Sequence, residues 1–161
     1  MTNSKNYGTA VEKFTMSTRA LISIEDADGK VRSSYLHFDG YPSGAGRILI
    51  DHYNTRESAE ALLSLGFLSA IGERLAPESG EKHDYENPVE GVCIAYHRDR
   101  GEPFRPATVW ANAEKMRSKA SDRFWAEYVY LFRDGQWYVE TCYRQSGWRL
   151  VADVLKEHDD E

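Results

Sequence analysis

The sequence predicts an α+β fold with a mostly antiparallel sheet of about five strands, built from hairpins, and with helices packed on one face. Three observations predict this class. Two pairs of alternating apolar or aromatic segments are each joined by a short turn, which is typical of β-hairpins. Segments with helical spacing lie between these pairs and at the C-terminus. The chain of 161 residues, 41% hydrophobic and 29% charged, is long enough for one ordinary globular domain.

The N-terminal segment differs in composition from the rest of the chain. The first fifteen residues are polar, and a strand-like pattern begins directly after a second methionine, Met16. We therefore expect residues 1–15 to form a flexible extension and residues 16–161 to form a single globular domain. No apolar run is long enough to span a bilayer and no signal peptide is evident, so the expected location is the cytoplasm.

The first hairpin is followed by a glycine-rich break. In the segment "ALISI", Ala20, Ile22 and Ile24 occupy alternate positions, the turn "DADGK" follows, and residues 31–38 alternate again. The run "GYPSGAG", residues 40–46, then ends the second strand, because Pro42 has no N–H to donate to a sheet. A helix is predicted from Gly46 onward. We refer to residues 40–46 as the glycine-rich turn.

A second helix, a long loop and a short strand are predicted next. Asn54, with Glu57 three residues later, resembles a capping box that opens the helix "ESAEALLSLG". Ala59, Leu62 and Leu63 form its apolar stripe. The segment "LAPESGEKHDYENPVEG" is rich in Pro, Gly and charge, which predicts a surface loop before the buried strand "VCIAYH" and a further loop, "RDRGEPFRP".

The C-terminal part predicts a second hairpin and a closing helix. Residues 107–120 fit strand or helix and stay open. The segments "FWAEYVYLF" and "QWYVETCYR" flank an Asp134-Gly135 step, a strong hairpin signal, and their aromatic stripe is expected to be core rather than a stacking surface. Trp148, Val151 and Leu155 have helical spacing, which predicts an amphipathic helix.

Charge and cysteine content weigh against several functions. The formal net charge of -6 disfavours binding to a nucleic-acid backbone, which requires clustered positive charge. Cys93 and Cys142 lie among alternating apolar residues, which indicates reduced core thiols. The sequence has no G-x-S-x-G elbow and no reactive cysteine context, so we predict no catalytic residues and no cofactor.

The glycine-rich turn is the first candidate site. It places Ser43, Gly44 and Gly46 before a helix, where free backbone N–H groups can bind an anion. The Walker A pattern and the Rossmann fingerprint both fail on glycine spacing. The alternative, which such runs adopt more often, is a tight turn with a structural role.

Two His-x-Asp triplets are the second candidate. His37 with Asp39, and His97 with Asp99, each follow a predicted strand and would point the same way if the extended geometry continued. Imidazole and carboxylate groups are ligands that divalent metals accept. The alternative is that these residues form hydrogen bonds within turns.

The segment "YHRDRGEPF" is the third candidate. It contains the start of a kinase catalytic loop, but Phe104 stands where that motif requires Asn. Arg98 and Arg100 remain as an arginine pair that suits a phosphate or carboxylate. The alternative is a solvated loop with internal ion pairs, each of which contributes little.

Four segments of the chain resemble a family of short phage and prophage proteins. They are "STRALISI", "YLHFDGYPSGAGRILIDHY", "ALLSLG" and "GVCIAYHRDRGE", and the family motifs read STRAxI, HWDGYPxGxG and LLxHY. The match spans residues 16–102, and Phe38 replaces the usual Trp, which keeps a ring but loses its N–H donor. The resemblance implies a phage origin, action in the host cytoplasm and no established catalytic residues.

These observations predict a phage-encoded accessory protein that counters host defence by binding a small anionic or nucleotide-like ligand. The candidate ligand-binding residues are Arg19, His37, Asp39, Gly40, Tyr41, Ser43, Gly44, Gly46, His97, Arg98, Asp99 and Arg100. Two alternatives stay open: a protein-binding inhibitor of a host protein, and a metal-dependent hydrolase that uses both triplets. A homo-oligomer through an exposed hairpin edge also stays open.

Overall fold

The structure is a computed structural model that describes residues 17–144 and 146–159. The predicted extension over residues 1–15 lies outside the described residues. The strands are β1 (Ala20–Glu25), β2 (Val31–Leu36), β3 (Leu68–Ala70), β4 (Ile94–Ala95), β5 (Thr108–Trp110), β6 (Tyr128–Arg133), β7 (Gln136–Thr141) and β8 (Arg149–Leu150). The α-helices are α1 (Arg47–His52), α2 (Arg56–Leu63), α3 (Tyr96–Arg100), α4 (Ala113–Phe124) and α5 (Val151–Asp159), and a π-helical turn over Pro42–Gly46 precedes α1.

The strands form one mixed sheet in the order β4-β3-β2-β1-β6-β7-β8, with β5 also pairing with β2. Most neighbours are antiparallel, whereas the β1–β6 and β2–β3 pairs are parallel. The predicted α+β class and mostly antiparallel sheet are confirmed. The prediction of about five strands is wrong, because β3, β5 and β8 have only two or three residues each. Such short segments carry no readable alternation.

Both predicted hairpins are present. In the first, β1 pairs with β2 from Ala20↔Leu36 to Glu25↔Val31. In the second, β6 pairs with β7 across the two-residue turn at Asp134 and Gly135. Both turn residues have positive φ, 52° and 77°, which is the backbone that a type I′ hairpin turn requires.

Helices cover both faces of the sheet, so the prediction that they pack on one face is wrong. Along β1, Ala20, Ile22 and Ile24 face a core layer formed with α1, α2 and α5. Leu21, which alternates with them, faces the opposite layer, where Met116 of α4 packs. The central strands β1 and β6 are apolar on both sides, and each side therefore needs a cover.

The local predictions around α2 and α3 need two corrections. Thr55, not Asn54, caps α2: its hydroxyl accepts from the Ser58 N–H at 3.1 Å, while the Ser58 hydroxyl accepts from the Thr55 N–H at 3.1 Å. The strand predicted over residues 92–97 covers only β4, because helix α3 begins at Tyr96. The residues "HRDR" are therefore helical rather than part of a loop.

The structure also describes the two cysteines and the apolar character of the helices. Cys93 is buried, Cys142 is half-buried, and both are free thiols. Within the described ranges, no helix has the length and apolar character needed to cross a bilayer.

Candidate functional site

The glycine-rich turn is tightly packed against β1. A Cβ atom added at Gly40 would lie 2.6 Å from the Thr18 carbonyl oxygen and 2.8 Å from the Ala20 Cβ. A Cβ at Gly44 would lie 2.7 Å from the Asp39 carbonyl oxygen. The buried Tyr130 hydroxyl donates to the Gly40 carbonyl at 2.6 Å. Glycine is thus required here for close backbone approach.

The backbone donors of this turn are used within the chain. The Gly40 N–H donates to the Thr18 carbonyl at 2.8 Å, and the Gly44 N–H donates to the Tyr41 carbonyl at 3.0 Å. The Ala45 N–H donates to the Asp39 carbonyl at 3.0 Å. The N–H groups of Gly40, Gly44 and Ala45 are therefore not free to hold an anion, which for Gly44 is contrary to the predicted anion-binding turn.

The side chains of the turn face away from the residues that we predicted to be their partners. Tyr41, Pro42 and Ser43 border a cavity of about 690 Å³ beside β7 and α5. None of the residues from the "HRDR" segment lines this cavity. Gly46 is buried, and a Cβ there would lie 3.0 Å from Val151 of α5. The turn and the helix α3 thus do not form one site.

The two His-x-Asp triplets do not converge as a set of ligands. Asp39 has a φ of 59°, so the extended geometry of β2 ends before it, and His97 and Asp99 lie on helix α3. The His97 Nδ1 lies 3.0 Å from the Glu102 carbonyl oxygen. Among the described residues, no three His, Cys, Asp or Glu side chains are grouped so as to hold a metal ion.

Arg98 and Asp99 of α3 hold the loop over residues 75–93 against this helix. Arg98 donates to the carbonyls of Leu75 at 2.7 Å and Cys93 at 2.8 Å, and to the Asp99 carboxylate. Burial would raise the pKa of Asp99, but hydrogen bonds from Arg98 and the Ala95 N–H outweigh it and lower that pKa. These side chains are committed to the fold, so the predicted Arg98 and Arg100 pair is not available to a ligand.

His83 is the buried anchor of the same loop. Its side chain is fully buried, with Nδ1 accepting from the Val89 N–H at 2.9 Å and Nε2 lying 3.0 Å from the Cys93 carbonyl oxygen. An Nδ1 that accepts leaves the ring proton on Nε2, which then donates to Cys93. Backbone groups therefore satisfy both nitrogens.

A cavity of about 430 Å³ lies on the other side of the molecule, where α3, the end of α4 and β2 meet. We name it the aromatic cavity. Its lining residues are Tyr35, Phe67, Tyr96, Glu102, Pro103, Arg105, Arg123, Phe124 and Trp125. They come from well-separated parts of the chain, so that only the folded protein brings them together.

Aromatic rings form the wall of this cavity. The Tyr35 ring centroid lies 5.6 Å from Phe67, 6.0 Å from Phe124 and 6.5 Å from Tyr96. Trp125 follows α4 with a φ of 54° and is 72% exposed. A large exposed indole beside packed rings provides a face on which a planar ligand can stack.

Three arginines surround these rings. The guanidinium carbon of Arg19 lies 5.6 Å from the Trp125 ring centroid, that of Arg105 lies 5.6 Å from Phe67, and that of Arg123 lies 5.7 Å from Phe124. In the described part of the chain, none of these three has a carboxylate within 4.0 Å. Among the described residues, the positive charge of these three arginines is therefore not neutralised by an ion pair.

A hydrogen-bonded Tyr–His pair lies next to the cavity. The Tyr35 hydroxyl is 2.8 Å from the His37 Nδ1. Burial lowers the pKa of His37, and the charges of Arg19 and Arg100 lower it further. Burial also raises the pKa of Tyr35 to about 12. Both groups are therefore neutral at pH 7 and leave the positive potential of the arginines in place.

Arg100 has a supporting role beside the cavity. Its guanidinium carbon lies 4.3 Å from the Tyr85 ring centroid and 4.5 Å from that of Tyr96. Its Nε lies 3.0 Å from a Glu102 carboxylate oxygen, and its Nη1 donates to the Ser69 hydroxyl at 3.0 Å. Arg100 thus holds Tyr96 and Glu102 in position rather than facing a ligand.

None of the residues predicted as ligand-binding is among those that line the aromatic cavity. Arg19, His37 and Arg100 lie next to the lining residues Trp125, Tyr35 and Tyr96, and the other predicted residues lie in the turn or in loop contacts. Sequence reasoning therefore missed the lining, notably Arg105 and Trp125. The only local signal was the density of Arg and aromatic residues in "EPFRP" and "DRFW". Neither segment has a recognisable spacing, so their convergence required the tertiary fold.

Comparisons with known proteins give no match from which a function could be inferred. Neither a protein-family model, nor a curated protein, nor a solved structure matches the chain. The arrangement of the aromatic cavity is therefore the basis for the function proposed next.

Proposed function

We propose that the protein binds a small anionic ligand with a planar ring, of the nucleotide type, in the aromatic cavity. The carrying observation is that Arg105 and Arg123 line a cavity walled by aromatic rings, with Arg19 beside the lining residue Trp125. None of these three arginines has a carboxylate partner among the described residues. Guanidinium groups bind phosphate through two parallel hydrogen bonds. Stacking of a base on an aromatic side chain adds about 1–3 kcal/mol.

Size and charge favour a single small ligand over a polymer. A volume of about 430 Å³ is within the range of small-molecule pockets. The chain as a whole has a formal net charge of -6, which repels an extended polyanion. The positive charge of Arg105 and Arg123 at the cavity suits a mononucleotide-sized anion.

The resemblance to short phage and prophage proteins supports a role in the host cell. A phage-encoded protein that sequesters a nucleotide-like signal would blunt a host defence that depends on that signal. Sequestration fits the cavity better than turnover does, because the nearby His37 ring is already bonded to Tyr35.

The test is native and denaturing mass spectrometry of the full chain purified from host cells, with and without phage infection. We expect a mass excess in the native spectrum that disappears on denaturation, and its loss in the double variant Arg105→Ala, Arg123→Ala. The charge-matched control is Arg56→Ala, Arg74→Ala, since both arginines pair with acidic residues elsewhere on the surface. Retention of the mass excess by the cavity variant would defeat the proposal.

A protein partner is the second candidate, favoured by one observation. Trp125 and Val109 are 72% and 63% exposed, although both are large apolar residues. Exposed aromatic residues are frequent anchors of protein interfaces. In this case the same purification would give a stoichiometric host protein, and Trp125→Ala would release it without any small-molecule mass excess.

A further inference from the structure

We infer that Glu102 makes the aromatic cavity select a ring with two adjacent N–H donors on its edge, as in a guanine nucleotide. This inference rests on the proposed function, because it concerns the ligand of the same cavity. Glu102 is the one carboxylate among the described lining residues. A carboxylate repels the anionic end of a ligand, so we ask which other part of the ligand it recognises.

The position of Glu102 is fixed by its neighbours. Its Oε2 is 3.0 Å from the Nε of Arg100, which is held between the Tyr85 and Tyr96 rings. Its backbone N–H donates to the Tyr96 carbonyl at 3.2 Å. Gly101, with a φ of 69°, turns the chain from α3 so that Glu102 reaches the cavity. The ion pair uses one acceptor site of Oε2, so Oε1 and the second lone pair of Oε2 remain to accept from a ligand.

Charge then sets the orientation of the ligand. A phosphate is repelled by the Glu102 carboxylate and attracted by Arg105 and Arg123, which line the same cavity. The phosphate end therefore lies against the arginines, and the ring edge lies against Glu102. In this orientation the plane of the ring stacks on the aromatic wall that includes Phe124 and Trp125.

The carboxylate discriminates among bases because it only accepts hydrogen bonds. Guanine presents a ring N–H and an exocyclic amine side by side, which match the two carboxylate oxygens. Adenine presents one amine beside an acceptor nitrogen, and uracil presents one N–H between two carbonyl oxygens. These bases place an acceptor against the carboxylate, an unpaired and repulsive contact that disfavours them.

The experiment is a fluorescence titration of the full chain with GMP, IMP, AMP and UMP, observed through the exposed indole of Trp125. The proteins are the wild type, Glu102→Gln and the control Glu78→Gln, whose side chain is 80% exposed and lies outside the cavity. We expect GMP to bind about tenfold or more tightly than AMP and UMP, as bidentate recognition of a base edge provides. IMP, which lacks the exocyclic amine, should fall between them.

The two variants show whether Glu102 determines the preference for GMP. Glu102→Gln should lose most of the preference for GMP while binding AMP at least as tightly as the wild type does, which shows that the cavity remains intact, and Glu78→Gln should keep the preference. Equal affinities for all four nucleotides, or a preference that persists in Glu102→Gln, would overturn the role of Glu102 and leave the proposed function standing. Absence of binding by every nucleotide would overturn both.

Discussion

The glycine-rich turn and the aromatic cavity are both dense in polar and aromatic residues, but they use them differently. In the turn, the N–H groups of Gly40 and Gly44 bond to backbone carbonyls, and the Gly40 carbonyl accepts from Tyr130. In the aromatic cavity, Arg105 and Arg123 lie against rings and, within the described ranges, have no carboxylate partner. The named backbone groups of the turn are hydrogen-bonded within the protein, whereas the arginines and rings of the cavity are available to another molecule.

A conspicuous sequence motif can have a purely structural role, whereas residues without a motif can form a binding cavity. The turn is a dense motif because three glycines and a proline are needed within seven residues to pack a sharp bend onto β1. The cavity leaves little mark in the sequence, because short segments that lie far apart in the chain build it and none of them has a recognisable spacing. Substitutions in the turn should therefore change stability, and substitutions in the cavity should change binding.

The largest effect is expected for Gly40→Ala. The added Cβ would approach the Thr18 carbonyl oxygen to 2.6 Å and the Ala20 Cβ to 2.8 Å, so the bend must shift away from β1. Overpacking of this kind costs about 3 kcal/mol of unfolding free energy. Urea denaturation measures it, with the exposed Ser43→Ala in the same turn as the control, expected within about 0.5 kcal/mol of wild type. A wild-type midpoint for Gly40→Ala would show that the bend tolerates a side chain.

The next effect is expected for the double variant Arg105→Ala, Arg123→Ala. Loss of two charge-assisted contacts to an anion should weaken nucleotide binding by about 2 kcal/mol, or roughly thirtyfold. The unfolding free energy should fall by no more than about 2 kcal/mol, because the two arginines lose only cation–π contacts and have no carboxylate partner among the described residues. Equilibrium dialysis against GMP gives the affinity, with Arg56→Ala, Arg74→Ala as the control. Unchanged affinity in the cavity variant would remove the arginines from the ligand site.

Tyr130→Phe tests the turn without adding bulk. The variant removes the buried hydroxyl that donates to the Gly40 carbonyl at 2.6 Å and leaves that carbonyl without its partner. The expected loss of stability is about 1–2 kcal/mol, with nucleotide affinity unchanged. Tyr41→Phe is the matched control, because the Tyr41 hydroxyl is exposed and should contribute less than about 0.5 kcal/mol. Equal stabilities of the two variants in thermal denaturation would contradict this account of the turn.

The smallest effect concerns His37, which is hydrogen-bonded to Tyr35 of the aromatic cavity. Its pKa is lowered from 6.5 by burial, then by Arg19 and Arg100, so the unfolded chain binds the proton more tightly than the folded protein does. Its contribution to stability is therefore complete above pH 6.5 and is lost as the pH falls through the window below that value. Urea midpoints between pH 7.5 and about 5 should fall less in His37→Gln than in wild type. An identical pH dependence in both proteins would show that His37 titrates alike in the two states.

The sequence predicted those parts of the fold that local patterns determine. Both hairpins follow from alternation and from the Asp134-Gly135 step, and the stripe of α2 follows from its spacing. Strands β3, β5 and β8 are too short for such patterns, and the second helical layer depends on β1 and β6 being apolar on both sides. Arg19 and His37 were predicted as site residues, but Arg105 and Trp125 were not, because nothing local links the segments that carry them.

The most direct measurement is a calorimetric titration of GMP into three proteins: wild type, Ser43→Ala in the turn, and Arg105→Ala, Arg123→Ala in the aromatic cavity. We predict that wild type and Ser43→Ala bind with the same affinity at one site per chain, and that the cavity variant binds at least tenfold more weakly. Loss of binding in Ser43→Ala with full binding in the cavity variant would contradict the account and return the site to the glycine-rich turn.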